Sequence, residues 1–381
     1  MSPSTELSEG LHCIDCDLLE TRIDLDGGSN YACSKELLEP GAPILWRTPC
    51  SHFVPTETPE TPIGPRTLPA PELLQSPDVD EFRRFMRDEK DISLREKIMD
   101  EAEAVKRFVK TGDYVGFELY GTVRCPLSIV REVVRQGVGS LRVAGQGLMD
   151  VDFLVAAGLV EAMDLTYVGY EAHGLSPVLR RACEKDGMRV VEWSNAALSW
   201  RFKAAAMGVP FLPTRSMLGS DTLRRSAAKT MRDPFTGLEL ALLPALFLDC
   251  AVIHVHRADK FGNCQIDGVA GFAPEMSRAA KRLIISAEEI VEPEVFQANP
   301  NHTTIPYYLV DAVVEAPFGA HPGETCGLYG RDESGIKEWL SAARTREGAK
   351  DYLERWVYGL SGQKEYLRLV GEDRLGELRN K

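Results

Sequence analysis

After Thr111-Gly-Asp113 the chain alternates short β-rich runs with helical patterns, an order that few architectures accommodate. The runs Tyr114–Leu119, Ser140–Ala144, Ala162–Gly169 and Met188–Glu192 read as strands. Pro126–Arg135, Val151–Ala157, Pro177–Lys185 and Ala196–Met207 read as the helices that follow them, the last closed by Gly208. Further apolar strand cores stand at Cys250–His256, Arg282–Ser286 and Tyr307–Ala316. Strands separated by helices pair in parallel, because the helix carries the chain back to the start of the next strand. The expectation is an α/β protein: an open, mainly parallel sheet with helices on both faces. Such sheets hold their ligands in the crevice outside the carboxyl ends of the strands. The strand ending at Ala316 runs into the Gly- and Pro-rich loop Gly319-Ala-His321-Pro322, which places that loop on the ligand side.

The first hundred residues read differently. They open with Cys13-Ile-Asp-Cys16, Cys33 and Cys50-Ser-His52, and proline then recurs every few residues from Pro55 to Pro77. Proline at that density forbids helix and central strand and favours an extended linker or strap. Asp80–Lys110 is predicted helical from its apolar spacing. Residues 1–92 are therefore expected to form a Cys/Pro-rich extension and linker, and residues 93–381 the main domain. Cys13-x-x-Cys16 has the spacing of a zinc knuckle, whereas Cys33 and Cys50-x-His52 complete it irregularly, so a structural zinc and ordinary thiols both remain open. The later cysteines lie singly in apolar surroundings, the usage of reduced thiols. The charged stretch Ile336–Leu378 is expected to form a helical layer.

Composition narrows the partners. A formal charge of −13 repels phosphate backbones and anionic lipid, and no Lys/Arg run offsets it, so neither nucleic acid nor a membrane surface is expected as a partner. The polar start and the lack of a long apolar run lead to an expected cytoplasmic location. Local basic exceptions are Arg124, Arg131 and Arg135, then Arg215, Arg224 and Arg225, which would face an anionic ligand or lie on solvated helix faces.

Several constellations fall at strand exits. Gly145-Gln-Gly147 precedes Asp150 and Asp152 in a first helical turn, a weak phosphate-cradle signal. Glu192-Trp-Ser194-Asn195 sits between strand and helix, where Ser and Asn serve equally as N-caps. His321 and Glu324 lie in the last loop, and a His there titrates near neutrality or is satisfied by backbone. His254 and His256 alternate on a buried strand and read as packing residues, and Gly262-Asn263 reads as a hairpin-like turn.

Asp311-Ala-Val-Val-Glu-Ala-Pro-Phe-Gly-Ala-His-Pro322, followed by Gly327-Leu-Tyr, resembles the C-terminal signature of the α subunit of glutaconate CoA-transferase. The resemblance extends in one collinear order through Thr111-Gly-Asp, the 204–220 block, Asp233-Pro-Phe-Thr-Gly, Ala251–Ile266, Trp356-Val-Tyr-Gly-Leu and Glu365-Tyr-Leu, from about Ser93 to the C-terminus. It implies a class I CoA-transferase α subunit with that family's fold. A homologous β subunit would supply the nucleophilic glutamate, in a heterotetramer or larger assembly acting on an acyl-CoA and a small carboxylate. Coenzyme A would be a moiety of the substrate, and glutaconate the nearest family substrate. The implied acyl site includes Tyr120, Gly121, Arg124, Gly145, Gly147, Ser194, Asn195, Arg215, Gly319 and His321.

One departure stands out. Glu118 and Leu119 occupy the place where the family commonly has two glycines, so either the acyl site is reshaped with a carboxylate or Glu118 turns into a salt bridge. Glu118 and Glu192 would suit acid–base chemistry in two same-fold alternatives, hydrolysis of a cyclic-ketone acyl-CoA and decarboxylation of an enoyl-CoA. A sugar-phosphate sensor domain is a non-enzymatic rival, and it expects a basic helix-turn-helix in place of this acidic, Pro-rich extension.

Overall fold

The computed structural model describes the strands Leu19–Ile23 and Ser29–Cys33 and residues 71–379, apart from 119, 120, 146–148 and 168. The chain divides into two compact units, Met1–Pro69 and Ala70–Lys381. In the first, the two strands pair as an antiparallel hairpin with Leu19 opposite Cys33 and Ile23 opposite Ser29. Cys13, Cys16, Cys50 and His52 lie outside the described residues, as does the side chain of Cys33, and with them the zinc expectation.

In the second unit one sheet dominates. Its strands are β1 (Tyr114–Phe117), β2 (Leu141–Gly145), β3 (Val160–Leu165), β4 (Arg189–Glu192), β5 (Leu248–Asp259), β6 (Cys264–Gln265), β7 (Ala280–Val291) and β8 (Ala312–Glu315). They lie in the order β8-β7-β5-β1-β2-β3-β4, all parallel, and β6 folds back antiparallel onto β5 across the Gly262-Asn263 turn. The expected mainly parallel α/β sheet is therefore present. The chain starts near the middle of the sheet, steps outward to β4, and returns on the other side of β1 as β5. That reversal makes the carboxyl ends of β1 and β5 the topological switch point, where neighbouring loops diverge and leave a crevice.

The central strands are buried on both faces, which explains their continuous apolar runs. Gly116 in β1 permits close packing: a Cβ there would stand 2.3 Å from Leu248 Cδ1 and 3.2 Å from Met276 Cε. Helix α1 (Leu127–Gln136) ends at Gly137 in the left-handed conformation, φ 64°. Helix α2 (Met149–Ala156) follows β2, and helix α3 (Asn195–Met207) begins at the N-cap Ser194, whose side chain accepts from Ala197 N. A buried carboxylate ties these elements together. Asp164 of β3 accepts from Arg201 Nη1 of α3 at 2.6 Å, from Trp193 Nε1 at 2.7 Å and from the Tyr114 hydroxyl of β1.

Three local expectations change. The single helix expected over Asp80–Lys110 is two, Val79–Asp88 and Glu101–Phe108. Between them the backbone is extended because it covers the open edge of β8: Met99 N donates to Val313 O, and Val313 N donates to Lys97 O. Residues 71–92, assigned from sequence to the extension, lie in the second unit, where Phe82 stacks on Phe247 at 4.5 Å and Lys90 Nζ meets Asp311 at 2.5 Å. The strand expected over Tyr307–Ala316 is a 3-10 turn at Tyr307–Leu309 followed by the shorter β8. The helical C-terminal layer is present, and it packs on α2 through Trp339 and Tyr352, both within 6 Å of the Phe153 ring.

Asp150 and Asp152 stand in the first turn of α2 as expected, yet both are fully buried. Asp152 is satisfied by Ser176 Oγ, the Tyr170 hydroxyl and Trp339 Nε1, and burial still pushes its carboxyl up to about 6. Neither oxygen of Asp150 meets a donor in good hydrogen-bond geometry among the described residues, and burial pushes it up to about 7 against the weaker pull of the Val151 backbone and the Cys125 thiol. Its unfolded value is near 3.9, so the folded state holds the proton more tightly. This contribution is complete below about pH 3.9 and is lost as pH rises through 7. Asp150→Asn removes the titration. Relative to the parent, the variant is expected to gain about 2–4 kcal/mol between pH 5 and pH 8, read as a difference in melting temperature that grows with pH.

Candidate active site

The loop leaving β1 is shaped at both ends. Glu118 N continues the sheet by donating to Val252 O of β5 at 3.0 Å. Gly121 has φ 62° and Arg124 φ 54°, so the chain turns twice through the left-handed region before α1 begins. Glycine adopts that conformation freely; an arginine there must be held. Four side-chain hydrogen bonds hold it. Arg124 Nη1 donates to Glu118 Oε2 at 2.9 Å and to His254 O at 3.0 Å, and Nη2 donates to Glu118 Oε1 at 3.1 Å and to Val269 O at 3.1 Å. Both residues are fully buried. Burial pushes the Glu118 carboxyl up to about 7, against the opposing pull of Arg124.

On the outer side of this loop lies an open cavity of about 530 Å³, lined by Gly121, Thr122, Val123, Tyr167, Glu171, Asn195, Glu324 and Arg331. Its walls come from the exits of β1 and β3, the first residue of α3 and the loop after β8. A short backbone ladder joins two of these walls: Glu324 N donates to Thr122 O, and Arg124 N to Glu324 O at 2.8 Å. Arg331 reaches Thr122 Oγ1 at 3.3 Å and is oriented by Glu333, whose Oε1 accepts from Nε at 2.7 Å while its Oε2 meets His173 Nε2. One carboxylate oxygen of Glu324 is buried without a hydrogen-bond partner. The cavity thus offers one guanidinium, an amide and two hydroxyls as donors, with two carboxylates among them.

Of the residues expected at the site, Gly121 and Asn195 line this cavity together. Ser194 stands at its edge as the α3 N-cap, 3.4 Å from Ser216 Oγ. Glu192 pairs with Arg225 at 3.1 Å and lies outside the lining. Arg215 is exposed, and Gly145 ends β2 in the core. Tyr120 and Gly147 lie outside the described residues. Gly319 packs on His254, which a Cβ would approach to 2.6 Å. His321 is enclosed, with Nδ1 2.7 Å from the Tyr366 hydroxyl and Nε2 2.9 Å from Asp332, and burial holds its imidazole below the usual range. Arg131 is likewise internal, stacked 3.6 Å from the Tyr366 ring. His254 and His256 are buried packing residues, and His254 joins Ser286 to Glu288. Sequence reasoning missed Thr122, Tyr167, Glu171 and Arg331. The exit of the third strand was the available signal for Tyr167 and Glu171, while Arg331 is recognisable only once its loop folds back over the β1 exit.

Residues 98–316 match the family model described as Coenzyme A transferase. The chain belongs to the coenzyme A transferase family. It is 30% identical over 302 residues to the A subunit of glutaconate CoA-transferase from Acidaminococcus fermentans, covering 74% of this chain and 94% of that one. The crystal structure of that enzyme superposes with a TM-score of 0.72, over 74% of this chain and 95% of that one. Identity to the A subunit of 3-oxoadipate CoA-transferase from Pseudomonas knackmussii is 33% over 275 residues, 71% of this chain and 96% of the relative. A cholesterol ring-cleaving hydrolase IpdA subunit of Rhodococcus jostii is 30% identical over 279 residues, 70% of this chain and 94% of the relative. The chain is thus an enzyme subunit of coenzyme A transferase type, a family that takes CoA as a substrate moiety. No helix among the described residues is long and apolar enough to cross a membrane.

Arg124 decides whether the loop of this family member keeps its shape. Removing one partner of a buried pair leaves the other charge uncompensated, at a cost of about 3–5 kcal/mol. Arg124→Met is expected to lower stability by that order, and Arg124→Lys to recover only part of it because an ammonium cannot grip a carboxylate bidentately. Denaturant unfolding of the three proteins checks both.

Proposed function

We propose that this chain is the α subunit of a heteromeric CoA-transferase that moves CoA between an acyl-CoA and a small carboxylate, with the nucleophilic glutamate supplied by a β subunit. The observation that carries the reading is the donor-lined cavity at the exits of β1 and β3, where Arg331, Asn195 and Thr122 converge beside a loop locked by Arg124. The partner's carboxylate attacks the acyl-CoA carbonyl and expels CoA thiolate, leaving a mixed anhydride. The thiolate then attacks the enzyme's acyl carbon, releasing the first carboxylate and leaving an enzyme thioester. The acceptor carboxylate attacks the thioester carbonyl and expels CoA thiolate, leaving a second anhydride, and the thiolate attacks the acceptor's acyl carbon to give the new acyl-CoA and free the glutamate. This chain's part is to orient the acyl group and to meet developing negative charge with fixed donors. A dicarboxylate such as glutaconate would set its second carboxylate against Arg331, the cavity's guanidinium. Assembly as a heterotetramer or larger follows from the same reading.

A second reading, acyl-CoA hydrolysis or decarboxylation on this frame, is favoured by one observation. The unpartnered buried oxygen of Glu324 lines the cavity and is a candidate proton acceptor. Glu118 and Glu192 suit that role less well, being engaged by Arg124 and Arg225.

The co-expressed complex, incubated with acyl-CoA and reduced with borohydride or treated with hydroxylamine, is expected to carry its trapped thioester on the β subunit, with none on this chain. Turnover by the purified, homogeneous chain alone would overturn the reading. Turnover of the complex without a trapped intermediate, abolished by Glu324→Gln, would establish the second reading.

A further inference from the structure

The strands Phe211–Thr214, Glu239–Pro244 and Lys229–Arg232 form a small antiparallel sheet of their own, with Glu239–Pro244 in the middle. Directly opposed residues share a face, and neighbours along a strand alternate between faces. One face is set by Ala241 and Leu243, 0% and 1% exposed and packed inward. The register then puts Leu240 opposite Met231, Leu242 opposite Pro213 and Lys229, and Pro244 opposite Phe211 on the other face. Phe211 and Met231 there are 41% and 39% exposed. A solvated antiparallel face ordinarily alternates to polar residues, and this one is apolar but for Lys229 on an outer strand. The hairpin turn beyond it adds Phe235, 94% exposed, and Leu238. That turn is braced: Asp233 N donates to Leu238 O and Phe235 N to Asp233 Oδ1, both within 2.9 Å.

We propose that this face and the Phe235 turn are the docking surface for the β subunit, which meets it with an apolar patch inside an acidic rim. The inference rests on the heteromeric reading above. Charge selects a different chain over a second copy. Residues 211–244 carry five Lys/Arg against three Asp/Glu, in a chain whose net charge is −13. Arg224 and Arg225 are paired with Asp221 and Glu192, while Arg215, Lys229 and Arg232 form no ion pair among the described residues. Lys229 stands on this face, opposite Leu242, so a two-fold contact of the face with itself would set like charges against one another, whereas an acidic rim neutralises them. Position supports the same occupant. The segment between the outer strands touches the cavity's edge, with Ser216 against Ser194 and Arg225 O accepting from Glu192 N at 3.1 Å. A partner seated on this face therefore lies beside the cavity in which its carboxylate is required.

The full chain is titrated against a β subunit of the family, using wild type, Met231→Glu, Phe235→Asp and Lys229→Glu. All three positions are exposed, so melting temperatures of the isolated chains are expected to match. The expected result is an affinity at least tenfold weaker for each variant, with Lys229→Glu losing part of the salt dependence. Unchanged affinity across variants that fold, with wild type binding normally, would overturn the docking surface and leave the heteromer standing. A wild-type chain that dimerises alone through this face, with variants monomeric and β-subunit binding intact, would assign the face to a second copy and likewise overturn it. Failure of wild type to bind any β subunit would bring down the heteromeric reading, and the surface with it.

Discussion

Everything around the cavity depends on the buried guanidinium of Arg124. Its backbone is turned through the left-handed region, and its side chain joins the β1 exit, the β5 backbone at His254 and the segment at Val269, while its N–H grips Glu324 O. Three parts of the chain far apart in sequence are thereby fixed around one planar group. Lysine offers a point charge with no fixed fork, and an apolar side chain would leave three carbonyl and carboxylate acceptors unsatisfied. Glu118 belongs to the same unit. Its position beside the switch point invites a catalytic role, but both of its oxygens face Arg124, and the resulting pair stiffens the loop whose outer surface forms the cavity wall.

Burial sorts the acids of this chain into two kinds. Glu118, Asp150, Asp152 and Asp164 are enclosed, and for the first three burial raises the carboxyl toward neutrality. Asp164 and Asp152 each gather three donors from different elements, so they act as cross-braces between strand, helix and C-terminal layer. Glu171 and Glu324 are of the other kind, lining the open cavity. A strand-exit loop can afford this division only because its rigidity comes from groups on the protein side.

The parallel sheet was readable because β1 to β4 alternate with helices, and β1 and β2 in its middle are largely buried, where periodicity and composition agree. The reading failed where a long-range contact overrides local pattern. The extended stretch around Ile98 has helical spacing, but it pairs with the edge at Val313, and nothing within the segment announces a partner more than two hundred positions away. At the site, Gly121 and Asn195 were recoverable because each stands immediately beyond a strand. Arg331 was not, since its relation to Thr122 exists only after the loop following β8 crosses back. His321 misled for the opposite reason: it sits in the expected loop, yet Tyr366 from the C-terminal layer and Asp332 close over it.

Transfer and hydrolysis on one frame differ in which carboxylate reaches the acyl carbon or a proton near it. On the transfer reading, carboxylates inside the cavity oppose an incoming acceptor carboxylate, so Arg331 would have to outweigh Glu171 and Glu324 along the approach. Glu333 already engages two of the guanidinium nitrogens, leaving Nη1, directed at Thr122 Oγ1, as the donor facing the cavity. An acceptor bound there is held by one strong contact and steered by shape, a demand that favours small carboxylates over extended ones. In hydrolysis the same two acids become assets, because an acceptor carboxylate is no longer required. On the proposed function, the balance between Arg331 and its two neighbouring carboxylates is therefore the feature on which the choice of acyl acceptor would turn.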